Sequence, residues 1–270
     1  VRWIDILGFR FQFSELLKPF LAVILAGFLT KKPATLKRFG LVFLLLLPMA
    51  FLIFRQPDLG NALIYSGVVL ITVFMYGFSF WYFLVGGAVI LILSPIAWRF
   101  FHAYQRQRIL TFLHFTNDPL GTSYNLVQSI IAVGSGMFFG KGLGQGTQSG
   151  LRFLPERHTD FIFATLSEDL GFFGGLLIIL AFGFLFYRIY AIYTETEDAF
   201  LKTFLIAAFA LLLIQFFVNI GMNIGIMPIV GVTLPFVSYG GSSLVANAIL
   251  LGMISSVARN AKKKHLLEIG

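Results

Sequence analysis

The amino-acid sequence predicts an all-α fold, a polytopic bundle of transmembrane helices. Of the 270 residues, 58% are hydrophobic and only 12% are charged, and the mean hydropathy is +0.87, which lies far from the usage of soluble globular domains. The apolar runs are long and uninterrupted, whereas the strands of a membrane β-barrel would give short alternating segments. Helices, which satisfy their own backbone hydrogen bonds, are therefore the expected spanning elements.

Seven apolar runs approach the length of about 20 residues that a helix needs to cross a bilayer. A polar-aromatic loop at 1–14 precedes them. In chain order, the predicted spans cover residues 15–30, 40–54, 61–76, 80–98, 161–190, 199–220 and 244–257. Between the fourth and fifth spans lies a large outer loop, 99–160, whose apolar stretch 126–139 is too short to cross and is predicted to be re-entrant or interfacial. The whole chain, 1–270, is assigned to a single membrane domain.

Two clusters of basic residues predict the orientation of the chain. One lies in the short loop at 31–38 and the other follows the last span, at 259–264. The positive-inside rule places both on the cytoplasmic side, and alternation of the spans then places the large loop outside.

The net charge of +8 favours anionic lipid head groups or an anionic lipid-linked substrate over nucleic acid, because the charges stand in short loops between spans. The chain has no cysteine, which excludes disulfides, thiolate metal sites and a cysteine nucleophile. A chain that opens at Val1 with an amphipathic loop looks like a fragment whose upstream part is missing.

A concentration of charge immediately before the fifth span is the main candidate site. It comprises Glu156, Arg157, His158, Thr159 and Asp160. Asp160 could serve simply as the N-cap of the helix that follows. Alternatively, a carboxylate at the outer membrane face could act as a general base on a hydroxyl or bind a divalent cation. Glu156 and His158 are interpreted as positioning residues.

Two further acids, Glu168 and Asp169, lie about 12 Å along the same helix from Asp160. Charges at that depth should face the bundle interior and find partners. A buried structural ion pair, a cap on a neighbouring helix and a substrate contact all remain open for them.

The outer loop also carries a set of cations that could be solvated individually or could together clamp a phosphate-linked substrate. They are Arg99, Arg106, Arg108, Lys141, Arg152 and Arg157. The glycines of GSGMFFGKGLGQG, at 134–146, fail the spacing of a nucleotide-binding loop and instead predict tight turns beside a ligand or a helix. Gln56 and Asp58 at a span end, and Ser238 in the Gly- and Pro-rich stretch 221–243, indicate broken helices that dip into the membrane.

Ordered motifs along essentially the full length of the chain resemble the shape, elongation, division and sporulation (SEDS) family, which includes FtsW, RodA and SpoVE. They are RWIDILGFRFQFSEL near the start, QPDLG at 56–60, YQRQRIL at 104–110, DPLG at 118–121, QSIIAVGSG at 128–136, GKGLGQGTQS at 140–149, LPERHTDFIFA at 154–164 and LPFVSYGGSS at 234–243. GTQS and ERHTDFIF resemble the RodA branch more than the FtsW branch.

The resemblance implies a peptidoglycan glycosyltransferase of the bacterial cytoplasmic (inner) membrane that polymerises lipid II at its extracytoplasmic face during cell-wall elongation. It also implies ten transmembrane helices, so that seven spans leave the first three absent. The family's essential aspartate falls on Asp160, which would deprotonate the acceptor hydroxyl, with a divalent cation such as Mg or Mn as a possible helper. The implied partners are lipid II, the undecaprenyl pyrophosphate-linked glycan and a class B penicillin-binding protein, which is a transpeptidase.

Three other functions remain open at this point: a septal, FtsW-like glycosyltransferase, a lipid II flippase, and a non-catalytic scaffold for the penicillin-binding protein. The residues predicted to contact the substrate are Gln56, Asp58, Arg106, Arg108, Lys141, Glu156, Arg157, His158, Thr159 and Ser238.

Overall fold

The computed structural model describes residues 4–6, 9–31, 33–55, 58–101, 106, 110, 123–151 and 153–269. Their elements, in chain order, are β1 (Ile4–Ile6), β2 (Phe9–Phe11), α1 (Phe13–Leu16), α2 (Lys18–Leu29), α3 (Leu36–Arg55), α4 (Leu59–Tyr76), α5 (Phe80–Phe100), α6 (Tyr124–Ser135), α7 (Thr147–Gly150), α8 (Ile162–Glu195), α9 (Ala199–Asn223) and α10 (Gly241–Ile269).

Each predicted span overlaps one helix, namely α2, α3, α4, α5, α8, α9 or α10, which confirms the helical bundle, whereas the number of membrane spans stays a prediction. Within the described part of the chain, four helices are long and apolar enough to cross a membrane: Leu59–Tyr76, Ile162–Glu195, Ala199–Asn223 and Gly241–Ala261. Helix α6 occupies much of the apolar stretch 126–139, and its re-entrant placement stays a prediction.

The polar-aromatic loop predicted for 1–14 is wrong in one respect, because part of it is a β-hairpin. Strands β1 and β2 pair in antiparallel register, with Ile4 opposite Phe11 and Ile6 opposite Phe9. Apolar and polar residues alternate along both strands, which is the period of a strand rather than of a helix.

The described residues group into two compact units. The first is drawn from Val1–Phe100, Phe186–Ile214 and Gly241–Gly270, and the second from Phe101–Leu185 and Gln215–Gly240. Each is considered by itself, and the single membrane domain stays a prediction.

The second unit has its own hydrophobic core around the start of α8. Four fully or almost fully buried residues form it: Ala132, Leu154, Phe161 and Ala164. Phe161 directly follows Asp160 in the chain and is 2% exposed. The packing of the Phe161 side chain therefore fixes the main chain immediately beside Asp160, the candidate catalytic residue.

Helix α8, which covers the span predicted for 161–190, is interrupted at Gly171, and this break was not predicted. Gly171 has φ 69° and ψ −161°, so the element consists of two helical segments that meet at this residue. A Cβ atom at Gly171 would lie 2.3 Å from the amide nitrogen of Gly140 and 2.5 Å from the carbonyl oxygen of Phe138. Only glycine combines this conformation with so close an approach of another main chain.

The glycine-rich loop at 136–146 satisfies the backbone groups that the break in α8 leaves without helical partners. Before the break, the carbonyls of Glu168 and Asp169 accept from the amides of Lys141 (2.9 Å) and Gly142 (3.0 Å). After it, the amide of Phe172 donates to the carbonyl of Met137 (2.8 Å). Unpaired backbone groups cost free energy inside a membrane, so these hydrogen bonds from the loop lower the cost of the break in the helix. The prediction that these glycines permit turns beside a helix is confirmed.

Candidate active site

The main chain of residues 156–160 is held in place from several sides, and all of its carbonyl oxygens accept hydrogen bonds. The carbonyl of His158 accepts from the amide of Tyr239 at 2.8 Å. The carbonyl of Thr159 accepts from the hydroxyl of Ser238 at 2.6 Å. The loop that follows α9 therefore fixes the path of the chain just before Asp160.

Two asparagines of α9 hold the main chain at Asp160 itself. The side-chain amides of Asn219 and Asn223 both donate to the carbonyl oxygen of Asp160, at 2.9 Å and 3.0 Å. The Asn219 amide also donates to the carbonyl of Val232 at 2.7 Å. Beside it, Gly231 lies so close to the Asp160 carboxylate that a Cβ atom there would be 3.2 Å from Oδ2. Main chain and carboxylate are thus both located by the same part of the second unit.

The two remaining carbonyls of this stretch are held within the loop and the first turns of α8. The carbonyl of Glu156 accepts from the amide of Phe161 at 3.1 Å. The carbonyl of Arg157 accepts from the hydroxyl of Thr165 at 3.0 Å. The stretch therefore forms a tight turn that leads directly into the helix.

The side chains around Asp160 are more accessible than its main chain. Asp160 and Thr159 are half-buried, whereas Glu156 and His158 are exposed. The Thr159 hydroxyl donates to the Glu156 carboxylate at 2.9 Å, and the Arg157 Nε donates to Nε2 of His158 at 3.1 Å. Polar side chains that solvent can reach therefore adjoin Asp160 in this stretch.

Glu168, which sequence reasoning left with three alternatives, is a buried structural anchor. Its carboxylate accepts from the amides of Gln148 and Ser149, both at 2.9 Å, at the start of the short helix α7. It also accepts from the Nζ of Lys141 at 3.1 Å, and its own side chain is 0% exposed. The structure therefore supports two of the alternatives together, a buried ion pair and a cap on a neighbouring helix. Lys141 donates to Glu168, and its predicted contact with the substrate stays a prediction.

Arg157, another predicted phosphate ligand, is also partly committed to structure. Its Nη1 donates to the carbonyl of Ser149 in addition to the Nε contact with His158. The guanidinium group has five donors, so these two contacts leave donors for a further anion.

Asp58, predicted to contact the substrate, caps α4 in the first unit. Its Oδ1 accepts from the amide of Asn61 at 3.1 Å. Its Oδ2 accepts from the side-chain amides of Gln12 and Asn61, both at 2.9 Å. The side chain is 6% exposed, so both oxygens serve the protein's own packing. Gln56 and Arg108 lie outside the described residues, and Arg106 is described as half-buried in the second unit.

Comparison with known proteins places the chain in a family. The model of the cell cycle protein family FTSW_RODA_SPOVE matches residues 1–263. The chain belongs to this family. It is 41% identical over 266 residues to the peptidoglycan glycosyltransferase MrdB of Escherichia coli K12, covering 97% of this chain and 71% of MrdB. It is 37% identical over 270 residues to the stage V sporulation protein E of Bacillus subtilis, covering 96% of this chain and 72% of that protein.

Solved structures of family members resemble the fold described above. One is the structure of a peptidoglycan synthase complex that coordinates polymerization and crosslinking. The match has a TM-score of 0.80 at 34% identity and covers 96% of this chain and 73% of that one. The crystal structure of the rod shape determining protein RodA of Thermus thermophilus has a TM-score of 0.66 at 30% identity, covering 96% of this chain and 69% of that one. The predicted family and the predicted fold class are confirmed.

Sequence reasoning missed Asn219 and Asn223, although a signal was present. Two amides spaced four residues apart lie on one face of a helix, and polar residues within an apolar span usually have a specific partner. Both side chains are fully buried. Their positions could be noticed from the sequence, whereas their partner, a carbonyl some sixty residues earlier, could not.

Proposed function

We propose that this chain is a peptidoglycan glycosyltransferase in which the Asp160 carboxylate is the catalytic base. The observation that carries the proposal is the fixation of Asp160: its carbonyl accepts from two buried asparagines, while its side chain stays half-buried among polar groups. A positioned carboxylate of this kind is what general base catalysis requires.

The glycosyltransferase class follows from the relatives. MrdB is named a peptidoglycan glycosyltransferase, and FtsW of Thioalkalivibrio sulfidiphilus, 35% identical over 277 residues, is named a probable one. This chain is accordingly a membrane enzyme of cell-wall synthesis. Its identity to MrdB, 41%, is higher than its identity to FtsW relatives, which is 35% to 37%, and this supports an elongation role over a septal one.

In the proposed reaction, the acceptor is the sugar 4-hydroxyl of lipid II and the donor is the glycan on undecaprenyl pyrophosphate. Asp160 takes the proton of the hydroxyl as its oxygen forms a bond to C1 of the donor sugar. The bond between C1 and the phosphate oxygen breaks, and undecaprenyl pyrophosphate leaves with the bonding electron pair. Attack opposite an α-linked leaving group gives a β-linked product.

The charge that develops on the pyrophosphate needs cationic partners. Arg157, three residues before Asp160, is the best placed described residue, because its guanidinium retains donors beyond its two protein contacts. Arg106 and Arg108 stay predictions for the same role. Lys141 is less suited, since Glu168 already neutralises it.

The described residues fit a divalent cation in one way, in which a carboxylate and the phosphates of the substrate bind the cation together. Among the described residues no group of three or more His, Cys, Asp or Glu side chains could hold a metal ion. Mg²⁺ is nevertheless often bound by one or two carboxylates together with substrate phosphates, and Asp160 could supply one such ligand. A bound cation would supply charge stabilisation for the leaving pyrophosphate.

The proposed setting is the outer face of the bacterial cytoplasmic membrane, where lipid II is used. The four membrane-length helices and the family support the membrane location. A class B penicillin-binding protein is the proposed partner, in keeping with the related structure of a peptidoglycan synthase complex.

The experiment is polymerisation of lipid II by the protein in liposomes together with its transpeptidase partner. Asp160→Asn should lower kcat by at least about 100-fold without loss of folded protein, because the amide cannot accept the proton. The matched control is Asp198→Asn: Asp198 is an exposed carboxylate that caps α9 by accepting from the amide of Leu201 at 2.8 Å. That variant should keep wild-type kcat.

Full polymerisation by Asp160→Asn would refute the proposed role. It would leave the polymerisation chemistry with a base other than Asp160, whereas a scaffold or a flippase would give no glycan with the wild-type protein either. An equal loss of rate in Asp198→Asn would show that the defect is not specific to the Asp160 carboxylate.

A further inference from the structure

Two buried amides in α9 converge on one carbonyl oxygen at the candidate catalytic residue. Asn219 and Asn223 are both 0% exposed, and each donates to the carbonyl of Asp160. A single carbonyl that accepts from two buried side chains is held in both of its lone-pair directions. We infer that Asn219 and Asn223 are positioning residues that set the location of the Asp160 carboxylate. This inference rests on the proposed function.

Asn223 ties the residue before the helix to the first turn of the helix. Its Nδ2 donates to the carbonyl of Asp160, while its Oδ1 accepts from the amide of Ala164 at 3.1 Å. Because a backbone amide can only donate and a carbonyl can only accept, these two contacts fix which way the Asn223 amide points. The first-turn amide of Ala164 thus receives its acceptor from another helix. That amide therefore does not need Asp160 as its acceptor.

Asn223 is itself held in place. Its main-chain carbonyl accepts from the hydroxyl of Ser129 at 2.9 Å, and its side-chain Nδ2 also donates to the main-chain carbonyl of Asn219 at 2.8 Å. The side chain therefore has a single arrangement, as a positioning residue needs.

Asn219 ties Asp160 to the segment that lies against its carboxylate. Its Nδ2 donates to the carbonyls of Asp160 and Val232. Gly231, the neighbour of Val232, approaches Oδ2 of Asp160 closely. The same amide group consequently links the main chain of Asp160 to the segment beside its carboxylate.

A general role in helix packing would be the simpler explanation, since buried amides often join helices within membranes. Such a role predicts an effect on stability alone. Here each of the two side chains, besides its other contacts, donates to the residue whose side chain is proposed to react. Positioning therefore predicts an effect on kcat that exceeds any effect on folding.

The test measures kcat and KM for lipid II polymerisation in liposomes with the transpeptidase partner, for Asn219→Leu and Asn223→Leu. We expect kcat to fall roughly 10- to 100-fold while KM stays within about twofold, because a small displacement of the base slows proton transfer and leaves binding intact. The control is Asn247→Leu, which removes a 3% exposed amide whose side chain donates to the Ser243 hydroxyl at 3.3 Å within α10. Its kcat should equal that of the wild type.

A mutant cycle with Asp160→Glu separates positioning from structure. Asp160→Glu displaces the carboxylate by itself, so adding Asn223→Leu should lower kcat much less in that background than in the wild type. Multiplicative losses would overturn the inference. Should Asn223→Leu not accumulate, Asn219→Leu decides, since it leaves the contact between Asn223 and Ala164 in place.

Two results are distinguishable from failure of the proposed function. If Asp160→Asn is inactive but both leucine variants keep wild-type kcat, the positioning role is wrong and the catalytic role of Asp160 stands. If Asp160→Asn polymerises normally, the proposed function is wrong and the positioning role falls with it.

Discussion

Glu168→Gln should be among the most destabilising single substitutions in the second unit. The wild-type carboxylate accepts from the amides of Gln148 and Ser149 at 2.9 Å each and from Lys141 Nζ at 3.1 Å, with no exposure to solvent. Glutamine keeps the size but replaces one oxygen by an NH₂ group, which must then face one of these donors. An orphaned donor costs about 1–3 kcal/mol, and we expect a loss of about that size.

The free energy of unfolding can be measured by titrating the purified protein in mixed micelles with SDS and following helical ellipticity. Lys141→Met is the matched variant: its side chain is 29% exposed and its removal leaves Glu168 with both backbone amides. We expect it to cost only about 1 kcal/mol. Equal stability of Glu168→Gln and the wild type, or an equal cost for the two variants, would refute the anchoring role.

Two further predictions concern the helix break and the first unit. Gly171→Ala should lower the unfolding free energy by about 3 kcal/mol or more in the same titration, because the φ of 69° and the adjoining main chain exclude a side chain. The control is Gly183→Ala in the same helix, where a Cβ atom would have nothing within 4 Å, so that variant should be neutral or slightly stabilising. Equal effects of the two substitutions would contradict the prediction. Asp58→Asn should lower the unfolding free energy by about 1–3 kcal/mol, because one oxygen that accepts from Gln12 or Asn61 is replaced by a donor. The KM for lipid II of the folded fraction should stay unchanged. A raised KM at full stability would instead support the predicted contact between Asp58 and the substrate.

The bundle and the candidate residue could be predicted because both have local signatures. Long apolar runs determine helices in a membrane, and a cluster of charge before such a run is conspicuous by itself. The break in α8 was not predicted, because a single glycine within an apolar run is compatible with a continuous helix. What breaks the helix is the loop at 136–146, which packs against Gly171 from about thirty residues earlier in the chain.

The partners of the buried polar groups could not be predicted for the same reason. Glu168 was recognised as a buried acid, but the choice among cap, ion pair and substrate contact depends on where Lys141 and α7 lie. Asn219 and Asn223 are a second example, because their partner is a main-chain carbonyl group. Every residue has such a group, so the sequence does not indicate which one they bind. Sequence patterns identify side chains that need a partner, and only the fold supplies it.

The anchoring of residues 156–160 through their carbonyl groups has a consequence for how the enzyme can be altered. Because the donors come from Tyr239, Ser238, Asn219, Asn223 and the local turn, replacing an exposed side chain such as Glu156 or His158 should leave the course of the main chain intact. If Glu156 and His158 contact the acceptor, as predicted, libraries confined to these two positions would vary acceptor preference while the main chain beside Asp160 stays unchanged.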